Sequence, residues 1–200
     1  MKRKFLFFIS FFLILITLQV KSFAYSTDPK QFIAEIISEA KEILNSGNSK
    51  KTKEGQLSEI ALKTVDIKGL AYYTLGRKRK EISSEELKKY EKLFKGYFLK
   101  SFTSRLTDYS DPKIDVLSAE IINEKYTIVK TLLLATDKKP EVRIDWRVYT
   151  KNPDKPLIRD LTIEGLSLAR TQKEEFASIL STNNDNINAL FEKLEEFINQ

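Results

Sequence analysis

The sequence predicts an α+β fold: a curved four-stranded antiparallel sheet wrapped by about six helices around an apolar cavity. Three observations lead there. Apolar residues recur with helical period from Asp28 to about Thr107, the period falls to two with β-branched residues dominant from Lys113 to Gly165, and helical period returns from Leu168 to Ile198. Strands bracketed by helical runs and joined by hairpin-length links indicate an antiparallel meander and not a βαβ fold. The helical parts cover about 28–110 and 168–198 and the sheet about 113–165, all within one domain over 25–200.

Residues 1–24 stand apart from this domain. Met1-Lys2-Arg3-Lys4 is a basic start, and Phe5 to Val20 is an uncharged run of mostly Phe, Leu and Ile. Ser22-Phe23-Ala24 then places small residues where a signal peptidase reads, so the segment is expected to be a cleavable signal peptide, with the mature chain starting at Tyr25 and exported to the periplasm. An uncleaved anchor is the rival reading, but Phe5 to Val20 falls short of the ~20 residues that span a bilayer comfortably.

Removing Lys2, Arg3, Lys4 and Lys21 from the 34 basic residues leaves 30 against 28 acids, so a formal charge of +6 becomes +2. Most of the electrostatic case for nucleic acid disappears with the leader, and no nucleic-acid partner is expected. The chain has no Cys and no His. That composition excludes disulfides, acyl attachment at a cysteine, thiol nucleophiles, imidazole bases and His- or Cys-based metal sites, and neither a metal nor a cofactor is expected.

The helices are read from their ends. Asp28-Pro29 is an N-cap followed by Pro at the first helical position, and Phe32, Ile33, Ile36, Ile37, Ala40, Ile43 and Leu44 form a stripe that ends at Gly47. A polar link, Asn48 to Lys53, leads to a helix near Gln56 to Lys63. A short helix from Asp66 carries Leu70, Tyr73 and Leu75 and stops at Gly76, before the basic turn Arg77-Lys78-Arg79-Lys80. Ser83-Ser84-Glu85-Glu86 reads as a capping box opening the longest helix, with Leu87, Tyr90, Leu93, Phe94, Tyr97, Phe98, Phe102 and Leu106 on one face. Two helices close the chain, about Leu168 to Leu180 and Ile187 to Ile198.

Strands are expected near 113–122, 125–136, 141–150 and 157–165. With Asn152-Pro153-Asp154-Lys155 as the last hairpin loop, paired residue numbers sum to 307. Ile144 then faces Ile163 and Trp146 faces Leu161 on one side, while Arg143 meets Glu164 and Arg147 meets Asp160 on the other. The strand carrying Leu132-Leu133-Leu134 is expected to be the most buried.

Asp145, Asp160 and Glu164 lie close in this register, and paired carboxylates can divide acid and base roles. Each neighbours an Arg, which lowers a carboxylate pKa and favours a solvated ion-pair face over catalysis. No Gly-rich phosphate loop, nucleophile elbow or calcium loop is present. No catalytic residue is assigned. The Arg77 to Lys80 run is read as a solvated turn, with docking to an acidic partner or lipid headgroups as its functional alternative.

Several segments together resemble a known family: Val65-Asp66-Ile67, Tyr73-Thr74-Leu75-Gly76, the helix running from Ser84-Glu85-Glu86 to Tyr109, Ile144-Asp145-Trp146-Arg147-Val148, and above all Asp160-Leu161-Thr162-Ile163-Glu164-Gly165-Leu166-Ser167-Leu168 with the following Phe176-Ala177-Ser178-Ile179-Leu180. Over about Asp28 to Ile198 the chain resembles the MlaC family of periplasmic phospholipid-binding proteins, also called the toluene-tolerance auxiliary family. It departs from the family pattern at Arg77-Lys78-Arg79, where an aromatic pair and one basic residue are usual, and at Trp146, where a Tyr is usual.

The resemblance implies a soluble, monomeric carrier without enzymatic activity. Such a carrier shuttles glycerophospholipid between an inner-membrane ABC transporter complex and an outer-membrane lipoprotein and porin complex, maintaining outer-membrane asymmetry, with bound phospholipid as cargo. On that picture the acyl chains are expected against Leu70, Tyr73, Phe98 and Phe102 of the helices and Val129, Leu133, Ile144, Trp146, Val148 and Ile163 of the sheet. Arg77, Lys78, Arg79 and Lys80 are candidate partner or headgroup contacts. A small-ligand binder or enzyme on a similar curved-sheet scaffold, and a periplasmic chaperone, are the alternatives, since fold alone does not set function.

Overall fold

In the computed structural model, residues 24–108, 111–137 and 139–200 are described. The expected signal peptide lies outside them apart from Ala24. The elements follow in the order α1 (Pro29–Asn45), α2 (Lys50–Thr64), α3 (Ile67–Leu75), a 3-10 turn (Gly76–Lys80), α4 (Ser84–Leu106), β1 (Ile114–Asn123), β2 (Tyr126–Leu133), β3 (Val142–Tyr149), β4 (Leu157–Ile163), β5 (Leu166–Ser167), α5 (Leu168–Thr182) and α6 (Ile187–Asn199). This is the α+β arrangement expected, with one strand more. Glu164 and Gly165 both take positive φ (48° and 84°) and reverse the chain, so that Leu166 and Ser167 pair back onto Ile163 and Thr162 as a short fifth strand. No helix among the described residues is long and apolar enough to cross a membrane.

Side-chain caps set the helix starts. The Asp28 carboxylate accepts from the Gln31 N–H at 2.8 Å, Asp66 accepts from Gly69 at 2.9 Å, and Ser83 and Glu86 form the reciprocal capping box of α4. The polar link expected up to Lys53 is a correction: α2 already begins at Lys50, because Ser49 caps it through the Thr52 N–H at 3.3 Å. Lys53 donates to the Leu44 carbonyl at 2.7 Å, closing the last turn of α1 and binding the two helices together. Apolar periodicity could not reveal that first turn, because the buried apolar residues of α2 begin only at Leu57.

The sheet is an antiparallel meander in sequence order, β1-β2-β3-β4-β5. The register inferred for the last hairpin holds from Ile144↔Ile163 to Arg147↔Asp160. Beyond that it changes: Val148 faces Ile158 and Tyr149 faces Leu157, leaving Arg159 as the extra residue of a β-bulge. β2 is the most buried strand, through Thr127, Val129 and Thr131, while Leu132 and Leu133 are half-buried.

Two hydrophobic cores result. The helical core joins α3, α4, α5 and α6 around Tyr90, Phe94, Phe176, Leu190 and Phe191. The sheet core joins α1 and α2 to one face of the sheet through Phe32, Ile33, Leu57, Ile60, Val129, Val148 and Ile158. Val65, between α2 and α3, packs against both.

Candidate functional site

α4 connects the two cores. Its Tyr90 and Phe94 are buried in the helical core, while Leu106 at its far end packs on the sheet core. The Tyr90 ring is fully buried, and its hydroxyl lies 2.8 Å from Thr74 Oγ1. Thr74 already donates to the Leu70 carbonyl at 2.9 Å, so the tyrosine is the donor to Thr74. Burial pushes the Tyr90 phenol well above its ordinary range. Burial also raises Tyr97, reinforced by the Glu175 carboxylate, and its hydroxyl donates to Gln172 Oε1 at 2.6 Å.

Along the same helix Phe94, Phe98 and Phe102 stack in sequence, with centroids 6.3 and 5.8 Å apart and ring planes within 19° and 8°. Phe98 borders the helical core. Phe102 is half-buried and belongs to neither core.

The register places Val129 beside Trp146 and Thr131 beside Ile144, and continues through Leu161 and Ile163, so these side chains share the helix-facing side of the sheet. The Trp146 indole N–H donates to Thr131 Oγ1 at 2.9 Å, and Thr131 donates to the Ile144 carbonyl at 3.0 Å. These two bonds satisfy the Trp146 indole and the Thr131 hydroxyl within the wall, so neither needs water there. Trp146 and Leu161 border the sheet core, whereas Leu133, Ile144 and Ile163 are half-buried and belong to neither core.

The ten residues expected to line a cavity therefore fall into three environments. Leu70, Val129 and Val148 are buried in the cores themselves. Phe98, Phe102, Leu133, Ile144, Trp146 and Ile163 are half-buried apolar groups at the core edges or outside both cores. Tyr73 lies at the surface, 44% exposed, with the Lys173 ammonium 5.1 Å from its ring centroid. Its helical spacing from Leu70 suggested an inward face, but α5 packs on α3 so that Lys173 covers the ring. Sequence reasoning passed over Leu161, which pairs with Trp146 in the register it had identified, and Val65, whose place between the cores depends on its bridge to Ile158.

The basic run is partly tied down. Lys78 pairs with Glu81 at 3.3 Å and Arg79 donates to the Tyr72 carbonyl at 3.3 Å, leaving Arg77 and Lys80 exposed. Two of the three candidate carboxylates have structural tasks. Asp160 faces Arg147 as expected but binds elsewhere: one oxygen accepts from Ser167 Oγ at 2.6 Å and the other from the Ala169 N–H at 3.0 Å, anchoring the start of α5. There it meets unpaired N–H groups and the positive end of the helix dipole, which outcompete an exposed Arg. Arg147 lies over the Tyr126 ring instead, 4.4 Å from its centroid. Glu164 likewise meets Arg143 through the backbone, accepting from its N–H at 2.5 Å. Among the described residues no group of acids is placed to hold a metal ion.

Arg159 ties the sheet to the start of α3 by an ionic contact. Its bulge turns the guanidinium to Asp66 at 2.6 Å and to the Tyr126 hydroxyl at 3.1 Å, 3.6 Å above the Tyr149 ring centroid. The Asp66 N–H also donates to the Ile158 carbonyl at 2.9 Å. β4 thus holds α3 through Ile158 and Arg159, and α5 through Asp160.

Among solved structures the chain is similar to the phospholipid-binding protein from Ralstonia solanacearum, determined in complex with a phospholipid, with a TM-score of 0.71 at 17% identity over 84% of this chain and 95% of that one. That likeness establishes a shared fold. A comparison with curated proteins gives no match. The family model described as MlaC protein matches residues 32–196, which cover the whole sheet and nearly all of both cores, and the chain belongs to the MlaC family.

Proposed function

We propose that this protein binds phospholipid and carries it through the periplasm, exchanging it with an inner-membrane ABC transporter complex and an outer-membrane lipoprotein and porin complex so that outer-membrane asymmetry is kept. In this reading it is a carrier and not an enzyme. The observation that carries the reading is the set of large, half-buried apolar side chains that complete neither core: Phe102 on α4 and Leu133, Ile144 and Ile163 on the sheet, flanked by Phe98, Trp146 and Leu161. Family membership over residues 32–196 and the phospholipid held by a protein of the same fold support it.

The energetics favour such a site. Each methylene withdrawn from water stabilises the complex by about 0.8 kcal/mol, so half-buried apolar side chains that complete neither core are suited to receive acyl chains. A headgroup has no such incentive to enter and stays at the rim.

The test is direct. Protein purified from the periplasm and extracted with organic solvent should yield phospholipid at near-stoichiometric amounts by mass spectrometry. Protein free of lipid, and unable to take it up from vesicles, would overturn the carrier reading.

A further inference from the structure

A cleft of about 580 Å³ opens where the α2–α3 junction, α4 and the start of β4 meet, and its walls carry Lys63, Lys68, Lys88, Lys92, Lys95 and Lys155. All six are exposed. The two acids of the cleft are already engaged: Asp66 binds Arg159 at 2.6 Å, and Glu91 accepts from the Tyr72 hydroxyl at 2.5 Å and from Lys68 at 3.4 Å. Among the described residues, Lys63, Lys88, Lys92, Lys95 and Lys155 make no ion pair.

This concentration accounts for the charge of the whole domain. From Tyr25 onward the chain has 30 basic and 28 acidic residues. With the six lysines and two acids of the cleft set aside, the 24 basic and 26 acidic residues that remain carry a net −2. Five uncompensated ammonium groups on one concave surface repel one another, and an acidic ligand relieves that repulsion.

We infer that this cleft is a docking site for an acidic polypeptide segment with interspersed apolar side chains, supplied by a protein partner. Its shape and lining select that occupant. Lys88, Lys92 and Lys95 run along one edge of α4 over roughly 10 Å, at the 1.5 Å rise per residue of a helix, which matches a chain segment and not a single small anion. Leu62, Val65 and Leu157 also line the cleft, so apolar side chains find a place beside the charges. Among the described residues no aromatic side chain lines the cleft, so nucleobases would have nothing to stack on. The inference uses none of the residues assigned to phospholipid and stands independently of that reading.

The test uses the mature chain, residues 25–200, and a labelled peptide of alternating Glu and Leu, followed by fluorescence anisotropy. Between about 0.05 M and about 0.3 M NaCl, where the Debye length shrinks to well under 10 Å, binding should weaken by at least about tenfold. The triple charge reversal Lys88→Glu, Lys92→Glu, Lys95→Glu should weaken it by at least about tenfold at low salt, while Lys51→Glu with Lys113→Glu, exposed and outside the cleft, should leave it unchanged. All five substitutions are at exposed positions, so circular dichroism should match the parent.

A peptide that fails to bind, or binds the triple variant as tightly as the parent, overturns the inference. So does a result in which phosphatidylglycerol vesicles or inorganic pyrophosphate bind through these lysines and the peptide does not. Phospholipid content of the triple variant, measured in parallel, should equal that of the parent. Lipid missing from both proteins would sink the carrier reading and leave the docking result intact.

Discussion

Replacing Tyr90 by Phe separates a hydrogen bond from a titration, and the two effects have opposite signs at high pH. The ring is fully buried in the helical core and, among the described residues, its hydroxyl donates only to Thr74. Near pH 8 the variant loses that hydrogen bond, a cost of about 1 kcal/mol net, while the ring continues to fill its site. Above pH 10 the wild type loses ground. An unfolded tyrosine ionises near its ordinary value of 10.0, whereas the folded one, pushed well above it by burial, keeps its proton.

The folded state then binds more protons than the unfolded state, so stability falls as pH rises, by about 1.4 kcal/mol per pH unit, until the folded pKa is reached. Phenylalanine has no such slope. The two stability curves should therefore cross about 0.6 pH unit above 10, with the variant the more stable beyond that point. Urea unfolding followed by circular dichroism at closely spaced pH values measures the difference, in which all other titrating groups cancel. A difference that stays constant from about pH 8 to about pH 11 would refute the assignment of Tyr90 as a buried, neutral donor.

Three further outcomes follow from the same reasoning. Phe98→Asp and Phe102→Asp, at half-buried positions, should leave the protein folded but depleted of co-purifying phospholipid, whereas Val148→Asp, fully buried in the sheet core, should prevent folding; full lipid occupancy in both Phe variants removes α4 from the site. Arg159→Met should cost about 1–3 kcal/mol in urea unfolding, less than a fully buried pair because the two side chains keep 31% and 17% exposure, and a cost near zero would show that the Asp66 contact adds nothing. Hydrogen bonds from Ser83 lower the Glu86 pKa, so the carboxylate stabilises the start of α4 above the usual carboxylate range and stops doing so as pH falls through its depressed pKa; Glu86→Gln should remove that acid dependence from hydrogen exchange in the first turn of α4, and unchanged dependence would discount the capping box.

The elements and much of the strand pairing were legible because they depend on local chemistry. The caps at Asp28 and Ser83 are side-chain to backbone bonds three residues long. The pairing of Ile144 with Ile163 and Trp146 with Leu161 follows from alternation alone, since a slip of one residue would turn every apolar group to water. The start of α2 was misread because its first turn is lysine-rich and announces itself only through the Ser49 cap.

What escaped the sequence was each choice between competing distant partners. Arg147 and Asp160 sit where alternation put them, yet Asp160 binds the start of α5, a partner that exists only once α5 has docked. The bulge at Arg159 serves Asp66, 93 positions earlier in the chain, and nothing in the strand itself demands it. Tyr73 has the spacing of a core residue but meets Lys173 from another helix.

Charge shows the same division. The sequence alone determined that the domain beyond Ala24 is nearly neutral, because net charge is a sum that ignores position. Only the tertiary structure decided that six lysines scattered from Lys63 to Lys155 face one cleft with both its acids engaged, because an electric field depends on distance. Burial divides the apolar residues in like manner: the sequence determined that Phe102 and Ile144 are apolar, and only packing decided that neither core contains them.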